Sequence, residues 1–182
     1  MNPLHPEQEQ NQETVYSWAQ ASAEAIRFEQ VKQAERAEAL RFGSTQEQAD
    51  DQGQVAAWLD KEARAGRLRI LRCKADGGRI ARHHVLLLEE NDDGEVVSLD
   101  IGGWCSMSEL KRGAHGGTEW LYKAEPIGDE WLRVQVMITD NFPDHEMFKR
   151  PDGSRIDLGF NDDDHFYFFN VDIPMENLVD TD

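Results

Sequence analysis

Gly66-Arg67-Leu68-Arg69-Ile70-Leu71-Arg72-Cys73 decides the fold class, together with Val85-Leu86-Leu87-Leu88 and the turns that bracket it, Asp76-Gly77-Gly78 and Asn91-Asp92-Asp93-Gly94. Before Gly66 apolar residues recur at helical intervals; after it they alternate or run together as in strands. Leu68 and Ile70, then Leu71 and Cys73, read as a strand with a bulge where the alternation slips. The run at 85–88 reads as a central strand covered on both faces, and the two turn sequences read as hairpins.

Working back from Gly66, Ser44-Thr45-Gln46-Glu47 has capping-box spacing and opens a helix that reaches Ala65, interrupted near Gly53, with Val55, Trp58 and Leu59 inward. From Thr14 to Phe42 there is neither Gly nor Pro, and Ala, Glu, Gln and Arg dominate, which predicts a long helix ended by Gly43. Its apolar stripe, Trp18, Ala21, Ala25, Phe28, Val31 and Ala34, is thin and alanine-rich, suited to close packing on a helix or on a second chain. Residues 1–13, rich in Gln, Glu and Asn, read as a flexible tail.

Working forward, Val97, Leu99 and Ile101 alternate in the next strand. Ser106-Met107-Ser108-Glu109 caps a short helix, and strands are predicted at Glu119–Ala124, Trp131–Thr139 and His165–Ile173. The intervening stretch, with Pro143, Pro151, Gly153 and Gly159, reads as a long loop. The fold class is therefore α+β: N-terminal helices, then a mainly antiparallel sheet of about five or six strands. Residues 14–66 form the helical segment and 67–182 a β-rich domain with one short helix, the two making one cooperative unit.

The chain has 182 residues and a formal net charge of −17. That charge disfavours direct nucleic-acid binding, because phosphates repel it. No apolar run approaches the roughly 20 residues of a membrane span. The N-terminus lacks the basic start and apolar core of a secretory signal, and two cysteines, Cys73 and Cys105, are too few for a disulfide framework, so a cytoplasmic setting is expected.

The charge is unevenly placed. Residues 61–84 hold 8 basic and 2 acidic groups, a +6 segment in a chain that is otherwise −23. Arg67, Arg69, Arg72, Lys74, Arg79 and Arg82 form this basic patch, which either meets an acidic partner or pairs internally with surrounding carboxylates. Residues 140–182 hold 12 acidic and 3 basic groups. Asp140, Asp144, Glu146, Asp152, Asp157, Asp162, Asp163 and Asp164 are candidates for an acidic binding surface that copies phosphate spacing, with the acids of 89–95 as a candidate extension. Phe142, Phe148 and Phe160 are candidate aromatic anchors within that acidic rim.

Signatures of chemistry are weak. Cys105 precedes a predicted helix and His115 follows ten residues on, but no further motif supports a nucleophile pair. His83 and His84 are adjacent in a strand and point to opposite faces, so they cannot chelate together. Asp144-His145-Glu146 and Asp163-Asp164-His165 are rich in ligand atoms without helical ligand spacing, and Asn161-Asp162-Asp163-Asp164 lacks the glycine and final Glu of a calcium loop. No phosphate-binding glycine loop or serine-hydrolase elbow occurs. No metal or cofactor is assigned.

The leading expectation is a non-enzymatic acidic inhibitor of a basic, nucleic-acid-handling protein, as in a phage or mobile-element anti-defence factor of the anti-CRISPR kind. An immunity protein against a basic toxin nuclease fits the same charge. Alternatives are a small metal-dependent hydrolase using His145, His165 and nearby Asp residues, and an assembly protein that homodimerises through 14–42.

Overall fold

The computed structural model describes residues 6–72, 83–104, 124–139, 142–156, 158 and 166–180. Two helices, α1 (Pro6–Arg41) and α2 (Gln46–Arg64), precede seven strands: β1 (Leu68–Arg72), β2 (His83–Glu90), β3 (Val96–Trp104), β4 (Ala124–Ile127), β5 (Trp131–Thr139), β6 (Phe166–Pro174) and β7 (Leu178–Asp180). The architecture is α+β, as the change of period at Gly66 predicts.

Both glycine stops work as the sequence implies. Gly43 and Gly66 take φ of +95° and +80°, a region that favours glycine. At each stop the last carbonyls are closed by paired backbone bonds: Gly43 N to Leu40 O and Ser44 N to Ala39 O, then Gly66 N to Ala63 O and Arg67 N to Glu62 O. Because Ser44 is used in closing α1, it does not open α2. The capping box sits one residue later, with Thr45 as N-cap: the Thr45 hydroxyl accepts from Gln48 N, and Gln48 Oε1 accepts from Thr45 N.

Two further boundaries differ from expectation. α1 begins at Pro6, so residues 6–13, read as tail, are helical; Pro suits a first helical turn because its missing N–H has no partner to lose there. α2 is unbroken at Gly53. A Cβ at that position would lie 2.5 Å from Lys32 O, so the glycine marks where the backbones of α1 and α2 meet.

The helices form an antiparallel pair, with Lys32 against Gly53, Arg27 against Asp60 and Arg36 against Asp50. Continued outward, that register ends α2 opposite about residue 22 of α1. With 36 residues against 19, α1 is about 54 Å long and α2 about 28 Å, so the N-terminal part of α1 runs past its partner.

The sheet is mixed rather than purely antiparallel. β7 pairs in parallel with β1; all other strand pairs are antiparallel. β6 covers one side of β5 from Trp131 to Thr139, while β4 and β3 share the other side. The order then continues through β2 and β1 to β7. β7 follows β6 after a single 3₁₀ turn at Met175–Asn177, so a strand from one end of the order leads straight to the other, and the sheet curls. Buried Asn177 holds that passage, donating from Nδ2 to Ala63 O at 2.9 Å and to Leu68 O at 3.0 Å. β1 has no bulge; the irregularity lies between β2 and β3, at the step from Val85 to Leu86.

The curl wraps α2. Val55, Ala56, Leu59 and Ala63 share one apolar core with Leu68, Ile70, Val85, Leu87 and Ile101, and with Val134, Val136 and Ile138 of β5 and Phe169, Val171 and Ile173 of β6. Alternation predicts Leu132, Val134, Val136 and Ile138 of β5 and Tyr167, Phe169, Val171 and Ile173 of β6 as inward, and all of these lie in or against the core, as do Leu99 and Ile101 of β3; Val97 is not among them. Among the described residues no helix is long and apolar enough to cross a membrane.

Candidate functional site

The acidic turn at 91–94 is a built structure. Asn91 Oδ1 accepts from Asp93 N at 3.0 Å and Glu95 N at 2.9 Å, which fixes the hairpin tip and leaves Asp92, Asp93 and Glu95 exposed. Just before the tip, Glu89 meets His145 Nε2. His145 Nδ1 accepts from Met147 N at 3.0 Å, so the proton on the ring sits at Nε2 and points at Glu89. The ring also stands edge-on to Trp58, with 5.5 Å between centroids. One histidine thus ties the 142–158 loop to both the β2–β3 hairpin and α2.

Arg150 ties the middle of that loop. Its guanidinium donates twice to Asp51, from Nε and Nη2 at 2.9 Å each, and once to Glu47 at 3.1 Å. The Asp51 hydrogen bonds, then its charge, raise the pKa of Arg150 further above its ordinary value. Asp51 is a buried carboxylate, and this fork satisfies it. Between the two anchors Met147 and Phe148 enter the core, and Ile156 joins them beyond Arg150.

These anchors sort the expected acidic surface. Asp144 and Glu146 flank the inward-turned His145 and are both exposed, on a segment adjoining the 89–95 turn. Arg155 stands 3.7 Å from Asp144 at the surface. Asp152 is exposed but serves its own turn. Its carboxylate accepts from Ser154 Oγ at 2.6 Å and from Ser154 N at 2.9 Å, and these bonds lower its pKa. Asp140, Asp157, Asp162, Asp163 and Asp164 lie outside the described residues, as does Phe160. Phe148 is no surface anchor: it is 2% exposed, because the loop needs an apolar plug between its two ties. Phe142 is half-buried and packs against the same core.

Of the basic patch, Arg67 is engaged internally, its guanidinium forked on Glu62 at 2.5 and 3.1 Å. Arg69 Nε donates to Gly66 O at 3.2 Å. Arg72 ends β1, while Lys74, Arg79 and Arg82 lie outside the described residues.

A second feature has no signature in the sequence. A groove of about 450 Å³ runs between α1 and β5–β6, floored by Ala56 and Asp60 of α2. Arg27 forks onto Asp60 at 3.0 and 3.2 Å and comes within 3.8 Å of Asp172. Arg133 forks onto Asp172, its cross-strand neighbour, at 2.8 and 3.3 Å. Burial, aided by the neighbouring Glu38, pushes the Glu35 carboxyl up to about 7. Burial also raises Tyr167, with Glu35 adding to it and a hydrogen bond with Gln52 opposing it. Periodicity hides this site, because Arg27 and Glu35 lie on a helix where charged residues are ordinary.

The chemical candidates do not converge. Asp144 and Glu146 are exposed, whereas the His145 ring is engaged by Glu89, Met147 N and Trp58. Cys73, Cys105, His115 and His165 lie outside the described residues, and among the described residues no three His, Cys, Asp or Glu side chains group as metal ligands. His84 is hydrogen-bonded to Asp100 at 2.7 Å on the sheet's exposed side. Comparison of the chain with protein-family models, with curated proteins and with solved structures finds no match.

Proposed function

We propose that this is a binding protein without catalysis of its own, whose exposed carboxylates engage a basic partner. The observation that carries the reading is the pair of adjoining acidic segments. Asp92, Asp93 and Glu95 on one, and Asp144 and Glu146 on the other, are exposed, while buried or half-buried ties through His145 and Arg150 hold the backbone beneath them. Carboxylates on a fixed frame meet a partner without the ordering cost of a loose acidic tail. They also steer a cationic surface over long range.

The partner class that best fits a −17 chain is a nucleic-acid-handling protein, whose binding surface is already arranged for regularly spaced negative charge. An inhibitor of a defence nuclease and an immunity protein against a toxin nuclease are both instances of that chemistry.

The test is competition. Affinity capture from the native host, followed by titration of the captured protein, should show binding that weakens as salt rises and that duplex DNA or RNA displaces. Asp92, Asp93, Asp144 and Glu146 changed together to their amides should weaken binding at least tenfold. A partner whose affinity ignores both salt and these substitutions overturns the reading.

A further inference from the structure

The groove beside α1 has an unbalanced charge inventory. Six charged side chains line it: Arg27, Glu35, Glu38, Asp60, Arg133 and Asp172. Both cations are engaged, Arg27 by Asp60 and Asp172, and Arg133 by Asp172. Glu38 reaches Arg41 at 4.0 Å, away along α1. Glu35 is left: a half-buried carboxyl that meets no cation or hydrogen-bond donor among the described residues. Beside it the wall is apolar, formed by Val31 and Ala34 of α1 and Ala56 of α2.

An acceptor without a donor at the end of an apolar wall suits a long side chain with a charged tip. Four carboxyls against two guanidiniums also select the sign of that tip. We infer that the groove takes one cationic group, a guanidinium or a primary ammonium, which meets Glu35 while its methylene stem lies on Val31, Ala34 and Ala56.

Two sources supply that chemistry: an Arg or Lys side chain of the basic partner, or a free small amine. The first rests on the proposed function and the second does not.

The site's own titration follows. A cation binds the ionised form of Glu35, so entry expels a proton from a carboxyl that holds one up to about pH 7. Glu38 on α1 and Tyr167 on β6 are the titratable groups that act with Glu35, Tyr167 being hydrogen-bonded to Gln52 of α2; Asp60 on α2, Asn170 and Asp172 on β6 and Arg133 on β5 line the same groove. Asp60 and Asp172 are held by arginines, and Tyr167 titrates well above neutrality, its pKa raised further by burial. Glu35 is therefore the group that sets pH dependence near neutrality, and affinity climbs as pH rises through about 7.

N-acetyl-arginine methylamide is the probe, its neutral citrulline counterpart the control, and the Glu35 carboxyl carbon resonance the readout. Binding of the arginine probe should lower the Glu35 titration midpoint. It should be several-fold stronger at pH 8 than at pH 5.5, with that pH dependence lost in Glu35→Gln. Ala34→Leu, which fills the groove without altering charge, should remove binding while the folded signal persists. Equal binding of arginine and citrulline probes, or an unmoved Glu35 midpoint, overturns the inference. If the probe binds with this pH dependence but Glu35→Gln leaves affinity for the captured partner unchanged, the occupant is a free amine. If no salt-sensitive partner exists yet the probe binds, the proposed function fails and the groove site stands.

Discussion

The two halves of α1 differ in what they touch. From Arg27 onward the helix lies on α2 and beside β6, fixed by Arg27 on Asp60, by Lys32 against Gly53 and by Arg36 on Asp50 at 2.5 Å. Ahead of that point Trp18 and Ile26 are 72% and 59% exposed, although both are large and apolar. Charge divides at the same place. Residues 6–26 carry Glu7, Glu9, Glu13 and Glu24 with no Lys or Arg, whereas 27–41 carry four basic residues. Composition alone makes both halves helix formers; only the basic residues distinguish the half that has carboxylates of α2 to meet.

The largest expected effect comes from forcing the packed half off its partner. In an exposed helix Gly→Ala gains about 1 kcal/mol through propensity. At Gly53 the new Cβ would lie 2.5 Å from Lys32 O, a backbone atom that cannot turn aside. Gly53→Leu should therefore cost about 3 kcal/mol, as overpacking against backbone does, and even Gly53→Ala should lose stability. Urea denaturation measures both; a stabilised Gly53→Ala would show that the two helices are not in backbone contact at that position.

Next is the ion pair that closes the packed half. Arg27→Ala strands Asp60, which is 5% exposed, without its guanidinium. Removing one member of such a pair costs more than the pair is worth, here about 2 kcal/mol given that Arg27 itself is partly solvated. Arg27→Ala with Asp60→Leu should recover part of that loss. No recovery would mean that Asp60 is not the source of the cost.

The helical hairpin was legible because its signals are local: two glycine stops, a capping box, and a change of period at Gly66. The β3, β5 and β6 core positions were legible because alternation shows which residues face inward. What escaped depends on distant pairings. Leu178–Asp180 is a three-residue strand that pairs with β1, more than a hundred residues earlier, and the part of Asn177 depends on two carbonyl acceptors equally distant in sequence. Phe148 misled because the acids around it suggest surface, while His145 and Arg150 fold that segment inward. Within the candidate site, the acids of 89–95 and 144–146 were readable as charge. Their adjacency rests on the Glu89–His145 contact, which no spacing reveals.

Glu35 gives a smaller and pH-selective effect. Its folded pKa is raised to about 7 from an ordinary 4.5, chiefly by burial. The folded state therefore holds a proton that the unfolded state has released between these limits. Stability falls as pH rises through that window and stays lower above it. Glu35→Gln removes the titration. It should be near neutral at pH 4 and stabilising at pH 8 by roughly 1 kcal/mol, the full shift being discounted for the group's partial solvation. Thermal melts at the two pH values measure the difference, and an equal effect at both would mean that the groove does not hold the carboxyl in its neutral form.

The smallest effect belongs to the outer half of α1, and it sharpens the contrast most. Trp18 has little area to lose, so Trp18→Ala should change the stability of the isolated chain by less than about 0.5 kcal/mol, the range of ordinary surface substitutions. A homodimer through 14–42 predicts otherwise: burying that ring between two chains would make Trp18 an anchor, and truncating it would cost about 2 kcal/mol of association. Sedimentation of wild type and Trp18→Ala across a concentration series separates the cases. A wild-type dimer that Trp18→Ala dissociates would make the outer half a self-association surface; concentration-independent monomers from both would rule out association through Trp18.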